Sequence, residues 1–194
     1  MKKHVLLLVV FLIASAGLLA QNRESGAIEL IPFFGFSFSN IDGDYVEDLN
    51  DRESFNLGAV GDYYFNDRWS IRSGLVYNRM GASIFGLDLN LDYLNIPLNA
   101  NWHFGSTRKW NLNFGFTPGF LMQAETEGTD LEDFVESFQL CLSFGIGYKL
   151  EISEKFSVLF DYQGLYGFTN LNSEGVDTNY NYGSSLNLGA VFAL

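Results

Sequence analysis

The residues that could do chemistry in this chain are few and widely spaced: Glu29, Asp62, Arg72, His103, Lys149 and Asp161. Each falls in a run of alternating side chains, on the face opposite the large apolar ones. Carboxylates, a guanidinium, an ammonium and an imidazole sharing one inner face offer ion pairing, a proton or ion path, or acid–base catalysis. Catalysis fits worst. Once an N-terminal leader is removed His103 is the last histidine, and no Ser or Asp stands beside it spaced as nucleophile and orienter. A lone histidine cannot build a two-histidine metal site, so no metal, cofactor or enzymatic activity is expected. The reading favoured is a self-satisfied structural cluster. If Asn66, Asp67 and Arg68 form a turn, Asp62 stands directly opposite Arg72, and Glu29 and Lys149 lie at similar depth.

The elements that must position these groups are about eight stretches with an apolar or aromatic residue at every second position, near 27–39, 54–65, 69–80, 92–104, 110–123, 138–150, 156–167 and 182–193. Trp110 to Phe120 is the clearest, with Trp110, Leu112, Phe114, Phe116 and Phe120 on one face and Asn111, Asn113, Gly115, Thr117 and Gly119 on the other. An oily face on every strand, backed by small and polar residues, predicts an all-β fold: an eight-stranded antiparallel up-and-down transmembrane β-barrel. Short connections (66–68, 105–109, 151–155) alternate with long ones near 40–53, 81–91, 124–137 and 168–181, as periplasmic turns alternate with external loops. Aromatics gather at both strand ends, with Phe65, Trp69, Trp102, Phe104, Trp110 and Phe156 beside short turns and Tyr77, Phe120, Phe138 and Tyr166 near long loops. Such clustering matches the two interfacial girdles of a membrane barrel. One stretch breaks phase. Leu87, Leu89 and Leu91 use odd positions where Leu94, Ile96 and Leu98 use even ones, which predicts a bulge or bend near Tyr93 and Leu94 and a second hairpin reaching beyond the bilayer.

Residues 1–20 read as a Sec signal peptide: Lys2 and Lys3 precede the apolar run Val5 to Ile13, with cleavage after Ala16 or Ala20. Residues 21–194 are then a single barrel domain. The expected location is the outer membrane of a Gram-negative-type cell, with outer-membrane lipid and lipopolysaccharide as surroundings. The formal charge of −12 becomes −14 without the leader, which excludes nucleic-acid binding through phosphate neutralisation. Cys141 is the only cysteine and shares the phase of Gln139 and Ser143, as a small interior filler would. The first long loop is acidic (Asp42, Asp44, Glu47, Asp48, Asp51, Glu53), and so is the third (Glu125, Glu127, Asp130, Glu132, Asp133, Glu136). These read as solvated loops. Bridging to lipopolysaccharide through a divalent cation is the sharper alternative, although Asp42-Gly43-Asp44 lacks the spacing of an EF-hand loop.

At Tyr77-Asn78-Arg79-Met80-Gly81, followed by Tyr93-Leu94-Asn95-Ile96-Pro97-Leu98, the chain resembles the PorT-like outer membrane protein beta-barrel domain family, whose members are often described as porin family proteins. The resemblance implies an eight-stranded barrel inserted by the barrel assembly machinery, and it implies no activity. The function expected is therefore a non-catalytic barrel serving envelope integrity or surface interaction through its acidic loops. An accessory role in a secretion or gliding machine and a small-solute porin are the alternatives. The chain departs from the usual outer-membrane ending, because Phe192 is followed by Ala193 and Leu194.

Overall fold

The computed structural model describes residues 24–44, 49–84, 86–173, 175 and 177–194. The leader expected at 1–20, and Glu47 and Asp48 of the first loop, lie outside them. The strands are β1 (Ile28–Gly43), β2 (Arg52–Tyr64), β3 (Trp69–Ile84), β4 (Leu87–Asn95), β5 (Leu98–Phe104), β6 (Trp110–Thr126), β7 (Thr129–Asp130), β8 (Phe138–Glu151), β9 (Phe156–Gly167) and β10 (Asn179–Ala193). Every pairing is antiparallel: β3 and β6 each pair with both β4 and β5, β6 pairs with β8, β7 pairs with β6 alone, and β1 pairs with β10 to close the ring. The ten strands make eight spans. β4 and β5 are one span interrupted at Ile96 and Pro97, where proline has no N–H to donate to the ladder. β7 is a stub in the third loop; Glu127 (φ 46°) and Gly128 (φ 78°) supply the two left-handed positions of its tight hairpin turn.

The register fixes the barrel's dimensions. Following partners from Glu29 through Asp62, Arg72, Asn99, Gly115, Ser143, Leu165 and Gly183 returns to β1 at Ser39, ten residues further on. With strands about 4.8 Å apart and a rise of about 3.3 Å per residue, that stagger tilts them by about 40° on a backbone cylinder of radius about 8 Å. The lumen is thus barely wider than the side chains projecting into it.

Alternation holds through most of the strands because each residue must suit either hydrocarbon or that narrow lumen. Along β8, Gln139, Cys141, Ser143 and Lys149 are buried while Phe138, Leu142, Phe144 and Ile146 are exposed. Leu30, Phe34, Phe36, Leu57, Leu75, Phe114, Phe116, Phe160, Leu186 and Leu188 are exposed likewise. On a water-soluble protein this would be an untenable oily surface; in a bilayer it is the solvated one. Gly164 faces outward opposite Phe144, whose ring occupies the space a Cβ would take, so the aromatic shields the bare backbone.

Three expectations are corrected. The segment 81–91 is not a long loop, since β3 and β4 run to Ile84 and from Leu87 across a tight turn at Gly86 (φ 83°). The first and fourth loops are also shorter than expected, because β1 extends to Gly43 and β10 begins at Asn179. Third, the irregularity opposite Asp92 and Tyr93 lies on β6: Asp92 pairs with Gln123 and Tyr93 with Leu121, leaving Met122 as the extra residue. β4 keeps a single phase, with Leu91, Tyr93 and Asn95 all buried, and Leu89 and Leu91 point inward.

Candidate functional site

The interior is layered along the barrel axis. At the end bearing the short turns, Lys149 donates to the Glu29 carboxylate and, at 3.1 Å, to the Tyr64 hydroxyl, which itself donates to Glu29 at 2.9 Å. His103 lies against Tyr64 with ring centroids 4.8 Å apart and planes tilted by 34°, and its Nε2 lies 2.9 Å from the Ser70 hydroxyl. A second ion pair, Lys109 with Glu151 at 3.3 Å, is buried beside this base. One layer inward, Arg72 donates from Nε and Nη2 to the two oxygens of Asp62, at 2.8 and 2.9 Å, and Asn101 donates to Asp62 at 3.1 Å. Asp161 stands across from this fork with Oδ1 3.6 Å from Arg72 Nη1, and Gln163 donates to its Oδ2 at 2.8 Å.

All six expected inner residues are therefore buried, in two groups: Glu29, Lys149 and His103 around Tyr64, and Asp62, Arg72 and Asp161 around the guanidinium. Asp62 and Arg72 are register partners, and Glu29 is the partner of Asp62 on its other side. The sequence reading missed Lys109 and Glu151, which lie just outside the strands it assigned. It also passed over the asparagines at inward positions, Asn56, Asn95, Asn99, Asn101, Asn111, Asn113 and Asn187, all buried. Their phase was the available signal.

The loop end is closed by apolar side chains. Ile41, Met80, Ala82, Leu91, Tyr93, Ala124 and Leu171 form a buried cluster, with Leu131 and Val135 of the third loop packed on it. The third and fourth loops are tied together across the mouth: Glu136 N–H donates to Leu171 O at 2.7 Å, and Val135 bridges Asn172. The β2–β3 ladder ends at Asn56 and Asn78 and resumes only at the Asn50–Ser83 bridge. Carbonyls left without a ladder partner in that gap are met from the side, Met80 O by Arg52 and Gly81 O by the Ser39 hydroxyl.

Outside, aromatic rings run in a chain round the turn end: Trp69 on Trp102, Trp102 on Phe104, Phe104 on Trp110 and Trp110 on Tyr148, with centroids 4.9–6.3 Å apart. Near the loop end Phe34, Phe55 and Tyr77 form a second row, and beyond it Arg79 makes a two-bond pair with Asp92. Among the described residues no group of three or more His, Cys, Asp or Glu could hold a metal ion. No helix among them is long and apolar enough to cross a membrane, so crossing falls to the strands.

A closed ring with an oily outside, two aromatic belts and a polar inside defines a small outer-membrane β-barrel protein. The chain belongs to the outer membrane protein beta-barrel domain family, whose model matches residues 19–173. Outer membrane protein Omp26La of Vibrio anguillarum is 32% identical over a stretch covering 31% of this chain and 30% of that protein. The chain thus matches less than a third of that relative's length. Among solved structures, OprG from Pseudomonas aeruginosa superposes with a TM-score of 0.52 at 12% identity, covering 88% of this chain and 97% of OprG. Neisserial surface protein A gives 0.53 at 15%, covering 86% and 98%. At these identities the likeness is one of fold.

Proposed function

We propose that the protein is a non-catalytic outer-membrane barrel that acts through its loop end, in surface interaction or envelope integrity. The observation that carries this reading is the contrast between a lumen occupied by side chains at both ends and a loop end with a large excess of negative charge. Asp42, Asp44, Asp51, Glu53, Asp88, Glu125, Glu127, Asp130, Glu132, Asp133, Glu136 and Asp177 stand there against Arg52 and Arg79, both engaged in ion pairs. The turn end carries both signs, with Arg68, Arg108, Lys109 and Lys155 beside Asp67, Glu151 and Glu154. So uneven a field favours cationic partners, or divalent ions bridging to lipopolysaccharide, and repels polyanions. Sec export of the precursor and insertion by the barrel assembly machinery complete the proposal.

The test is a mild-detergent pull-down from native membranes, comparing wild type with a variant whose third-loop acids are changed to the corresponding amides. Both must show the folded-barrel gel shift. Partners or envelope resistance lost with the charge support the reading, and a variant indistinguishable from wild type in both overturns it. The PorT-like resemblance supports a second role, as accessory to a secretion or gliding machine. Co-purification of a fixed set of proteins whatever the loop charge would favour that role.

A further inference from the structure

The third loop holds a side chain that the barrel does not use. Phe134, at the end of the short 3₁₀ turn Glu132–Phe134, is 57% exposed, although Leu131 and Val135 on either side of that turn pack onto the apolar cap. The backbone beneath the ring is fixed. Phe134 N–H donates to Leu131 O at 3.0 Å, its carbonyl accepts from Ser173 N–H at 3.2 Å, and the Ser173 hydroxyl donates to Asp133 O at 2.9 Å. Leu131 N–H donates to Ala124 O at 2.9 Å and Leu121 N–H to Ser137 O at 2.8 Å, so the loop is lashed along the end of β6. Between those two ties β6 carries Met122, its extra residue, which is 59% exposed. A lone apolar residue is ordinary on a protein surface. A phenylalanine held from both sides and left in water, on backbone tied to that of an equally bare methionine, is instead a pre-ordered anchor, the kind of residue on which interface affinity concentrates.

The surroundings select the partner. The loop-side aromatic belt, to which the contacting pair Phe120 and Phe138 belongs, marks the end of the hydrocarbon, and Phe134 sits in a segment tied to β6 beyond Phe120. Acyl chains therefore stop short of it. From Met122 to Phe138 the chain carries six carboxylates, Glu125, Glu127, Asp130, Glu132, Asp133 and Glu136, and no lysine or arginine. Those nearest the ring in sequence, Glu132, Asp133 and Glu136, are all exposed. A second copy of the chain would bring the same charge to the contact, and so would the phosphates of lipopolysaccharide; like charges pressed together disfavour both. We propose that Phe134, with Met122, is the apolar anchor of a protein-binding surface whose partner is a basic polypeptide segment. The partner supplies an apolar pocket for the ring and a rim of lysine or arginine for Glu132, Asp133 and Glu136. This rests on the surface-interaction reading above and deepens it, choosing protein over cation-bridged lipopolysaccharide and placing most of the binding strength in an uncharged side chain.

The test pans a phage-displayed library of random short peptides on the barrel in lipid nanodiscs, and compares wild type with Phe134→Ser, Phe134→Tyr and the third-loop amide variant. Phe134→Ser should keep the wild-type gel shift and urea midpoint, because the ring lies outside the apolar cap. The expected result is enrichment of peptides that set apolar residues among lysines and arginines, bound about tenfold or more weakly by Phe134→Ser and near wild-type strength by Phe134→Tyr. The amide variant should bind the same peptides more weakly and with less dependence on salt. Peptides that follow the loop charge but ignore residue 134 overturn the anchor and leave the surface-interaction reading standing. Binding that depends on neither the ring nor the charge removes both, and failure to enrich basic peptides overturns the anchor. Calcium-dependent binding of lipopolysaccharide vesicles that is lost in Phe134→Ser would identify a lipid partner and overturn the proposal. A Phe134→Ser protein that fails to fold would make the ring structural, with the same consequence.

Discussion

At the level of single residues, the decisive distinction is which of two solvents a side chain meets. Leu142 projects into hydrocarbon between Phe116 and Tyr166 on the adjoining strands, while its neighbour Ser143 donates inward to Asn99 at 2.6 Å. Leu142→Arg should destabilise the barrel by ~2–4 kcal/mol, the range for arginine at a bilayer midplane, read as a lowered midpoint in urea unfolding from lipid vesicles. A midpoint equal to wild type would refute the phase assigned to β8. For the inner ion pair the informative comparison is between one loss and two. Arg72→Ala strands the Asp62 carboxylate and should cost about 3–5 kcal/mol, whereas Arg72→Ala combined with Asp62→Ala should cost less than the single change. A double variant weaker than Arg72→Ala would show that the pair is not the unit. Glu29, Asp62, Arg72, Lys149 and Asp161 were legible because a charge at an inward position is conspicuous in a strand pattern, whereas Lys109 and Glu151, at the strand ends, were not. The asparagine lining was not, since Asn serves equally in turns, and only the ring brings Asn56, Asn95 and Asn187 round one space.

Among the elements, period-two patterning located every span but not its ends. β3 and β4 continue past Met80 with inward Ala82, Leu89 and Leu91, which look like a phase error until one sees that the lumen at the mouth is apolar. The alternation rule assumes a polar lumen, and it misleads where the cap begins. The same assumption put the bulge on the wrong strand. Because Leu121 and Gln123 face the consecutive residues Tyr93 and Asp92, removing Met122 would leave a regular ladder with every other pair intact. A Met122 deletion should therefore still give a folded, heat-modifiable protein. Deleting Leu142 from the unbroken β8 ladder should not, because all residues on one side of the cut would exchange faces. If both deletions fold equally well, the bulge does not have the role given it here.

For the molecule as a whole, the prediction is resistance to detergent and silence in conductance. A closed ring leaves no unpaired edge, so unboiled and boiled samples should migrate differently on a gel. The base around Lys149 and Tyr64 and the cap around Met80 and Leu171 should keep planar bilayers free of large, stable current steps. Such steps from the pure protein would restore the porin reading. The pairing of β1 with β10 also dictates when the protein can be made. Residues 28–43 must wait for residues 179–193 before their outer row of amides is matched, so the most distant parts of the chain supply the contact on which every other strand depends. Closing so large a loop is slow, and until it happens a half-built sheet has two raw margins that hydrocarbon will not accept. Membrane entry is thus a late, concerted event that follows complete synthesis: a chain stopped before Asn179 should accumulate as a chaperone-bound or degraded species, never as a smaller barrel.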